Sequence, residues 1–428
     1  MTRLTNSAAD QAKAYTRRGD RGPVSLYVHV PFCVRKCAYC DFHSGAISAQ
    51  EPGLLAHYGW AVSEAVAHWS ELAVLEDVLS VYIGGGTPTA LGDGLVDLVT
   101  AVLGTCKSRG DVEVTVETNP DTTDSALIAR LVDAGVNRFS VGVQSLDDAV
   151  LEMLGRCHDA AAAESAVRAC MATGARVSLD LMCGVPGQSQ ASWLSTVKRA
   201  VGFGVGHVSV YPLIVEDDTP LARRIRAGHM VSPEPDAAAE MMELAHSELT
   251  AHGLERYEVA SYARPGQRCI HNVGYWNGRP YIGIGPSSSS MLPVEMFLAA
   301  AACRSWTDPL VAGVGRVVDA VPHDTARVRF TRAADTVAFV RFPAGAPEEI
   351  EYLRGREAAR EDAMLGLRLA EGIECSLAEE AGVAAVLARM VGTGLVEAVD
   401  DGERRYRLTD AGWLLGNEVF AEVWNADS

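Results

Sequence analysis

Two rhythms of apolar and polar residues run along this chain. The first is short and rich in β-branched residues: 26–30, 78–83, 112–116, 138–144, 177–182 and 207–211 all read as strands. The second has helical spacing and fills the gaps, over 53–75, 91–103, 125–134, 147–154, 160–173 and 192–203. Alternating strand and helix argue for parallel strands joined by helical crossovers, in an α/β barrel or a wound sheet. Six such units, rather than eight, fit an open, partial (β/α)6 barrel. A further helix is expected over 231–252, with Ser232 and Pro233 at its start.

After residue 290 the rhythm is lost. Residues 291–350 mix Ala-rich, Val-rich and Pro/Gly pieces and are expected to form a connecting or lid-like region. Helical spacing returns over 356–369 and over 377–391, with a turn near Gly382. A hairpin is expected over 395–408, with Asp401 and Gly402 at its tip, before a last helix from Thr409 towards Trp424. Helices followed by a hairpin resemble a winged helix. The expected domains are a flexible tail over 1–23, a barrel and its extension over 24–290, the connecting region over 291–350, and a winged-helix-like α+β domain over 351–428.

Composition narrows the choice of partners. The chain has 428 residues, 48% of them hydrophobic, which suits one large domain and a smaller one. Its 37 Lys and Arg against 55 Asp and Glu give a net charge of −18, which argues against non-specific binding to nucleic acid or anionic membrane. Residues 350–428 carry eight Arg and no Lys against sixteen Asp and Glu, so a lid or interaction role is expected there rather than DNA binding. The N-terminus lacks the apolar run of a signal peptide, and the Ala-rich run 296–303 is too short to span a bilayer. The expected location is the cytoplasm, where thiols stay reduced.

The chemistry centres on Cys33, Cys37 and Cys40, three thiols within eight residues directly after the first strand. Such a trio suits an iron–sulfur cluster, and leaves one iron of a four-iron cluster open to a small molecule. A closed zinc site wants four ligands, and no second Cys or His pair follows at zinc-ribbon spacing. A disulfide framework does not suit a long chain without an export signal. The other seven cysteines are scattered and read as small buried residues. Gly84 to Thr87, Glu117, Asn119 and Gln144 fall at the carboxyl ends of strands, where parallel barrels carry their chemistry, and Asp180 lies inside the fifth. The glycines either admit a ligand close to the backbone or make a tight turn. Glu117 either meets a cation or ribose hydroxyl or is a solvated loop acid.

The CxxxCxxC spacing, with Tyr39 before its last cysteine, resembles the radical S-adenosylmethionine (SAM) superfamily. The wider wording, from Tyr27 to Cys33 and on through Cys40-Asp41-Phe42, resembles the branch that holds the oxygen-independent coproporphyrinogen III oxidases and the HemW-type haem chaperones. The resemblance covers residues 24–290 well and 355–428 loosely. It implies that Cys33, Cys37 and Cys40 hold a [4Fe–4S] cluster whose free iron is chelated by SAM. Electron transfer then splits a carbon–sulfur bond to give a 5′-deoxyadenosyl radical. It also implies SAM contacts from Tyr27, Tyr39, Gly85, Gly86, Thr87, Glu117, Gln144, Arg156 and Asp180, with the glycine run at the amino group and Arg156 at the carboxylate. Core packing is the alternative for Tyr27, and a surface ion pair for Arg156. The run His271-Asn272-Val273-Gly274-Tyr275-Trp276 resembles a HemW-type motif linked to haem binding, which makes His271 a candidate haem ligand. The alternative is a structural histidine bonded to a carbonyl.

The oxidases of this branch carry a further cysteine two residues after the third ligand. Phe42 stands there in this chain, the form seen in the HemW type. The resemblance thus implies a haem-binding chaperone that hands haem to an acceptor protein, with a reductant such as flavodoxin or ferredoxin. Neither nucleic acid nor a transmembrane segment is expected. A coproporphyrinogen III oxidase of porphyrin biosynthesis, a radical SAM methyltransferase and a structural cluster protein remain alternatives. One departure concerns residues 287–290, where four serines replace a run that in the family reads Gly-Ala-His.

Overall fold

The computed structural model describes residues 22–51, 53–301, 321–345, 347–400 and 402–426. The tail expected over 1–23 lies outside these residues up to position 21, as do the Ala-rich run from residue 302 and Asp401 of the hairpin tip. Strands β1 (Val24–Val30), β2 (Val78–Gly85), β3 (Glu113–Thr118), β4 (Arg138–Gln144), β5 (Arg176–Cys183) and β6 (His207–Pro212) pair in sequence order, all parallel. Helices Leu54–Glu71, Asp93–Thr105, Ser125–Asp133, Ala160–Ala172 and Gln190–Gly202 fill the crossovers. The helix expected from Ser232 starts instead at Pro235, where the missing proline N–H has no partner to lose.

β1 and β6 do not pair, so the sheet stays open. The free edge of β6 takes the short antiparallel strand β7 (Ser261–Ala263). The other edge of β1 takes the parallel strand β8 (Tyr281–Ile284). Beyond β8 lie antiparallel β9 (Ser289–Pro293), β10 (Thr325–Thr331) and β11 (Glu349–Arg354). The described part of 291–350, expected as a connecting or lid-like region, thus adds strands to the main sheet. Within β10 the side chains alternate: Val328 and Phe330 pack in the main core while Arg327 and Arg329 form ion pairs.

Period two within the parallel strands decides where the site lies. Val81, Ile83, Val114, Val116, Leu179 and Leu181 pack outward into the main core with the helices. The intervening residues, among them Ser80, Tyr82, Glu113, Glu117, Ser140 and Asp180, face the barrel interior and bond to one another. The strand-start end of this interior is closed by the helix Ile270–Trp276. His271 Nδ1 lies 2.9 Å from Ser80 Oγ, and its backbone N–H donates to Glu113 Oε1 at 3.0 Å. Burial pushes the Glu113 carboxyl up, but Arg176, at 3.1 Å, then Arg138 and backbone N–H groups outweigh this and hold it below its ordinary value. Among the described residues, this helix plugs the strand-start end, and the expected site residues gather at the carboxyl end.

The C-terminal residues form a separate small core around Leu387, Val419 and Phe420. Helices Gly355–Gly366, Cys375–Glu380 and Ala384–Thr393 precede the hairpin Val396–Asp400 with Arg404–Leu408, as the helix-then-hairpin pattern requires. The last helix is broken at Leu415 into Asp410–Leu414 and Gly416–Trp424. This module is tied to the barrel by Ala370 N–H to the Tyr257 carbonyl at 3.0 Å, and by the Arg256 guanidinium 4.4 Å from the centre of the Trp413 ring.

Candidate functional site

The loop after β1 carries Cys33, Cys37 and Cys40 over the carboxyl end of the barrel. A cavity of about 340 Å³ opens beneath it. The three cysteines line this cavity, together with Tyr39, Gly85, Gly86, Thr87, Glu117, Gln144, Arg156 and Asp180. These residues come from five successive strands, β1 to β5, or the loops beyond them, and the parallel arrangement brings them together.

Arg156 links the two walls. Its Nη1 donates to Cys37 Sγ at 3.3 Å, and its Nη2 to Asn119 Oδ1 at 2.6 Å and the Gly142 carbonyl at 3.0 Å. Its Nε is buried with no partner among the described residues. Glu117 accepts from Tyr82 OH at 2.8 Å and from Gly85 N–H at 3.0 Å. Burial nevertheless pushes it up to about 7, with nearby Asp180 adding to the rise. Asp180 accepts from Ser140 Oγ at 3.0 Å and is likewise raised by burial. Gln144 sits at a bulge in the β4–β5 pairing with φ of 62°, a left-handed conformation that turns the end of β4.

The glycine run has a reason that the sequence left open. Gly86 N–H donates to the Val30 carbonyl at 2.7 Å, and Thr87 N–H to the Phe32 carbonyl at 2.6 Å. A Cβ on Gly86 would lie 2.6 Å from Phe32 O, and one on Gly85, whose φ is 108°, would lie 2.6 Å from the His29 ring. These glycines let the end of β2 tuck under the cysteine loop, so they shape the cavity by packing against the chain itself.

A second cleft of about 450 Å³ adjoins the first and shares Phe42, Gly85 and Glu117 with it. Tyr27, His29, His43, Tyr275 and Tyr281 line this cleft.

The family model of the radical SAM superfamily matches residues 27–200. The heme chaperone HemW of Bacillus subtilis (strain 168) is 31% identical over 409 residues, covering 92% of this chain and 98% of that protein. The chain belongs to the radical SAM superfamily, in its HemN/HemW-like branch. The heme chaperone HemW of Mycobacterium tuberculosis (strain ATCC 25618 / H37Rv) is 38% identical over 278 residues, covering 64% of this chain and 70% of that protein. In structure, the radical SAM enzyme coproporphyrinogen III oxidase (HemN) from Escherichia coli aligns with a TM-score of 0.73 at 19% identity, over 98% of this chain and 94% of that one. That likeness in fold takes in both the expected α/β barrel and the C-terminal module.

Radical SAM proteins take a [4Fe–4S] cluster and SAM, and the donor set fits both. Among the described residues, no three His, Cys, Asp or Glu side chains converge on one metal ion. A lone tetrahedral zinc needs such convergence; a four-iron cube takes each cysteine on a different iron. Burial pushes the Cys40 thiol up to about 11, so a bare sulfur keeps its proton until a metal displaces it. The Arg156 guanidinium lines the same cavity and is a charged partner for a carboxylate.

Two expected residues stand elsewhere. Tyr27 lies in the second cleft, with its OH 2.9 Å from His29 Nδ1, and does not line the cysteine cavity. His271 is only 1% exposed, inside the closed end of the barrel, where burial lowers its pKa to about 4. It stacks on Tyr82 at 4.9 Å, and its Nε2 is buried without a partner among the described residues. The position does not present His271 to a ligand the size of a haem. Sequence reasoning missed Tyr82 and Tyr211, which also line the cavity. Their signal was period two, since Tyr82 shares a face with Ser80 and Tyr211 with Ser209.

Proposed function

We propose that this chain is a haem chaperone: it binds haem and passes it to an acceptor protein in the cytoplasm. The observation that carries the reading is the similarity to the Bacillus subtilis heme chaperone HemW, which runs through the barrel and the C-terminal module alike. A cleft with three tyrosines beside the cysteine cavity supports it, because a flat porphyrin packs well on aromatic rings. Phe42 supports it too: 60% exposed and shared by both cavities, it offers no acid, base or thiol for turning over a porphyrinogen.

In this reading Cys33, Cys37 and Cys40 hold the cluster, which supplies one-electron reduction of SAM. Arg156 receives the SAM carboxylate while staying bonded to Cys37 and Asn119. Glu117 and Asp180 accept hydrogen bonds from the ammonium or ribose, and Tyr39 shields the site from water. A small reductant such as flavodoxin or ferredoxin provides the electron. The domain plan follows: a barrel whose sheet runs on to Arg354, and a C-terminal module as lid or docking unit. No described helix is long and apolar enough to cross a membrane.

The test is anaerobic reconstitution followed by parallel assays of SAM cleavage, haem binding and coproporphyrinogen III turnover. Stoichiometric haem binding without vinyl products is expected. Sustained SAM-dependent formation of protoporphyrinogen IX would overturn the reading in favour of the oxidase.

A further inference from the structure

We infer that haem docks in the second cleft with the His43 imidazole as an axial ligand to its iron. This rests on the haem-binding reading above and names the site. The cleft holds two histidines. His29 is spent: Nδ1 meets Tyr27 OH at 2.9 Å, and Nε2 meets the His43 carbonyl at 2.8 Å. Neither ring nitrogen of His43 has a hydrogen-bond partner among the described residues, and the side chain is half-exposed on the cleft wall. Its backbone is pinned all the same. The His29 bond holds its carbonyl, the Lys36 ammonium donates to the Phe42 carbonyl at 3.0 Å, and Gly45 N–H donates to the Pro31 carbonyl at 2.9 Å. A free imidazole on a fixed backbone is what an axial ligand needs.

Two carboxylates also line the cleft: Glu117 is held by Tyr82 OH and Gly85 N–H, and Asp41 is exposed, which leaves His43 the one unbonded imidazole there among the described residues. Burial raises the pKa of Tyr27, Tyr275 and Tyr281, so they stay phenols and serve as packing surfaces. Ser288 Oγ donates to the Gly285 carbonyl, and Ser289 Oγ pairs with Thr331. Tyr275 and Tyr281 meet edge to face at 4.6 Å, which fixes one aromatic wall, and the exposed Phe42 ring stands beside His43. Burial, then the Lys36 ammonium, lower the His43 pKa against the opposing Asp335, which leaves the ring neutral and its lone pair free.

The test uses the full chain, reconstituted with its cluster, as wild type, His43→Ala and His43→Gln. Each is titrated anaerobically with haem b and read by the Soret band and the iron spin state, with cluster iron and SAM cleavage measured on the same samples. Wild type is expected to give a histidine-ligated spectrum. Both variants are expected to keep the cluster but lose that signature, with haem affinity falling by at least the roughly tenfold that even a supporting contact is worth at a metal site. Added imidazole should restore the His43→Ala spectrum. Wild-type spectrum and affinity in His43→Ala would overturn the inference while sparing the chaperone reading. A wild type that binds no haem would overturn both.

Discussion

Replacing Gly86 by alanine tests whether the end of β2 is built around the cysteine loop. The new Cβ would lie 2.6 Å from Phe32 O and 2.9 Å from Val30 O, both backbone atoms with no rotamer to escape into. Regaining ordinary contact needs a retreat of roughly 0.8 Å or more. That retreat stretches the Gly86–Val30 and Thr87–Phe32 hydrogen bonds, now 2.7 and 2.6 Å, beyond useful length. Overpacking of this kind costs about 1–3 kcal/mol, and each weakened bond about 0.5–1.5 kcal/mol. The sum is a loss of about 2–6 kcal/mol, smaller if the loop moves as one body. Cys33 follows Phe32 directly, so the same shift displaces the first cluster ligand. Gly104→Ala is the control: it lies in the helix Asp93–Thr105, and its Cβ would meet nothing within 4 Å. There alanine should be neutral or stabilise by up to about 1 kcal/mol. Anaerobic urea unfolding followed by circular dichroism measures the first effect, and iron and sulfide per chain after reconstitution measure the second. Gly86→Ala should show a lower midpoint and substoichiometric iron. A Gly86→Ala protein with the wild-type midpoint and a full cluster would refute the packing argument.

Three further outcomes are expected. Alanine at any one of Cys33, Cys37 or Cys40 should abolish a stable four-iron cluster and SAM cleavage, read by iron content and electron paramagnetic resonance; full loading in any of them would exclude that cysteine as a ligand. Arg156→Met removes donors to Cys37 and Asn119 and the cavity's guanidinium charge, a loss of about 1.5–3 kcal/mol or roughly 10- to 100-fold in SAM affinity by calorimetry; unchanged affinity counts against the carboxylate role. Burial raises Glu117 to about 7, above the roughly 4.3 of an unfolded glutamate. The folded chain therefore binds the extra proton between these values, and this stabilising contribution is full below about pH 4.3 and lost as pH rises through about 7. Relative to Glu117→Gln, the cluster-free wild type should lose roughly 4 kcal/mol across that window, and parallel stability curves would contradict it.

Much of the fold was legible because it is written locally. Strand and helix periods record which backbone geometry buries the apolar residues, so β1 to β6 and their crossover helices fell close to their expected places. The cysteine trio was legible for a chemical reason: three thiols in one short loop have few uses apart from metal. The residues expected at strand ends reached one cavity because parallel strands in sequence order bring their carboxyl ends to a single edge.

What the linear order withheld was depth and edge. His271 and Gln144 both looked like site residues, yet one plugs the start of the barrel and the other stands at its mouth. Depth is set by the register of distant strands, here Ser80 opposite Glu113 rather than opposite Glu117, and no local pattern encodes it. The three strands beyond β8 were missed although β10 and β11 alternate with period two, over 325–331 and 349–352, because Ala-rich and Pro/Gly pieces surround them. The second cleft, with Tyr27 and His43 facing Tyr275 and Tyr281, joins segments more than two hundred residues apart. Only closure of the fold could create it, since a cavity belongs to the space between elements and to no one of them.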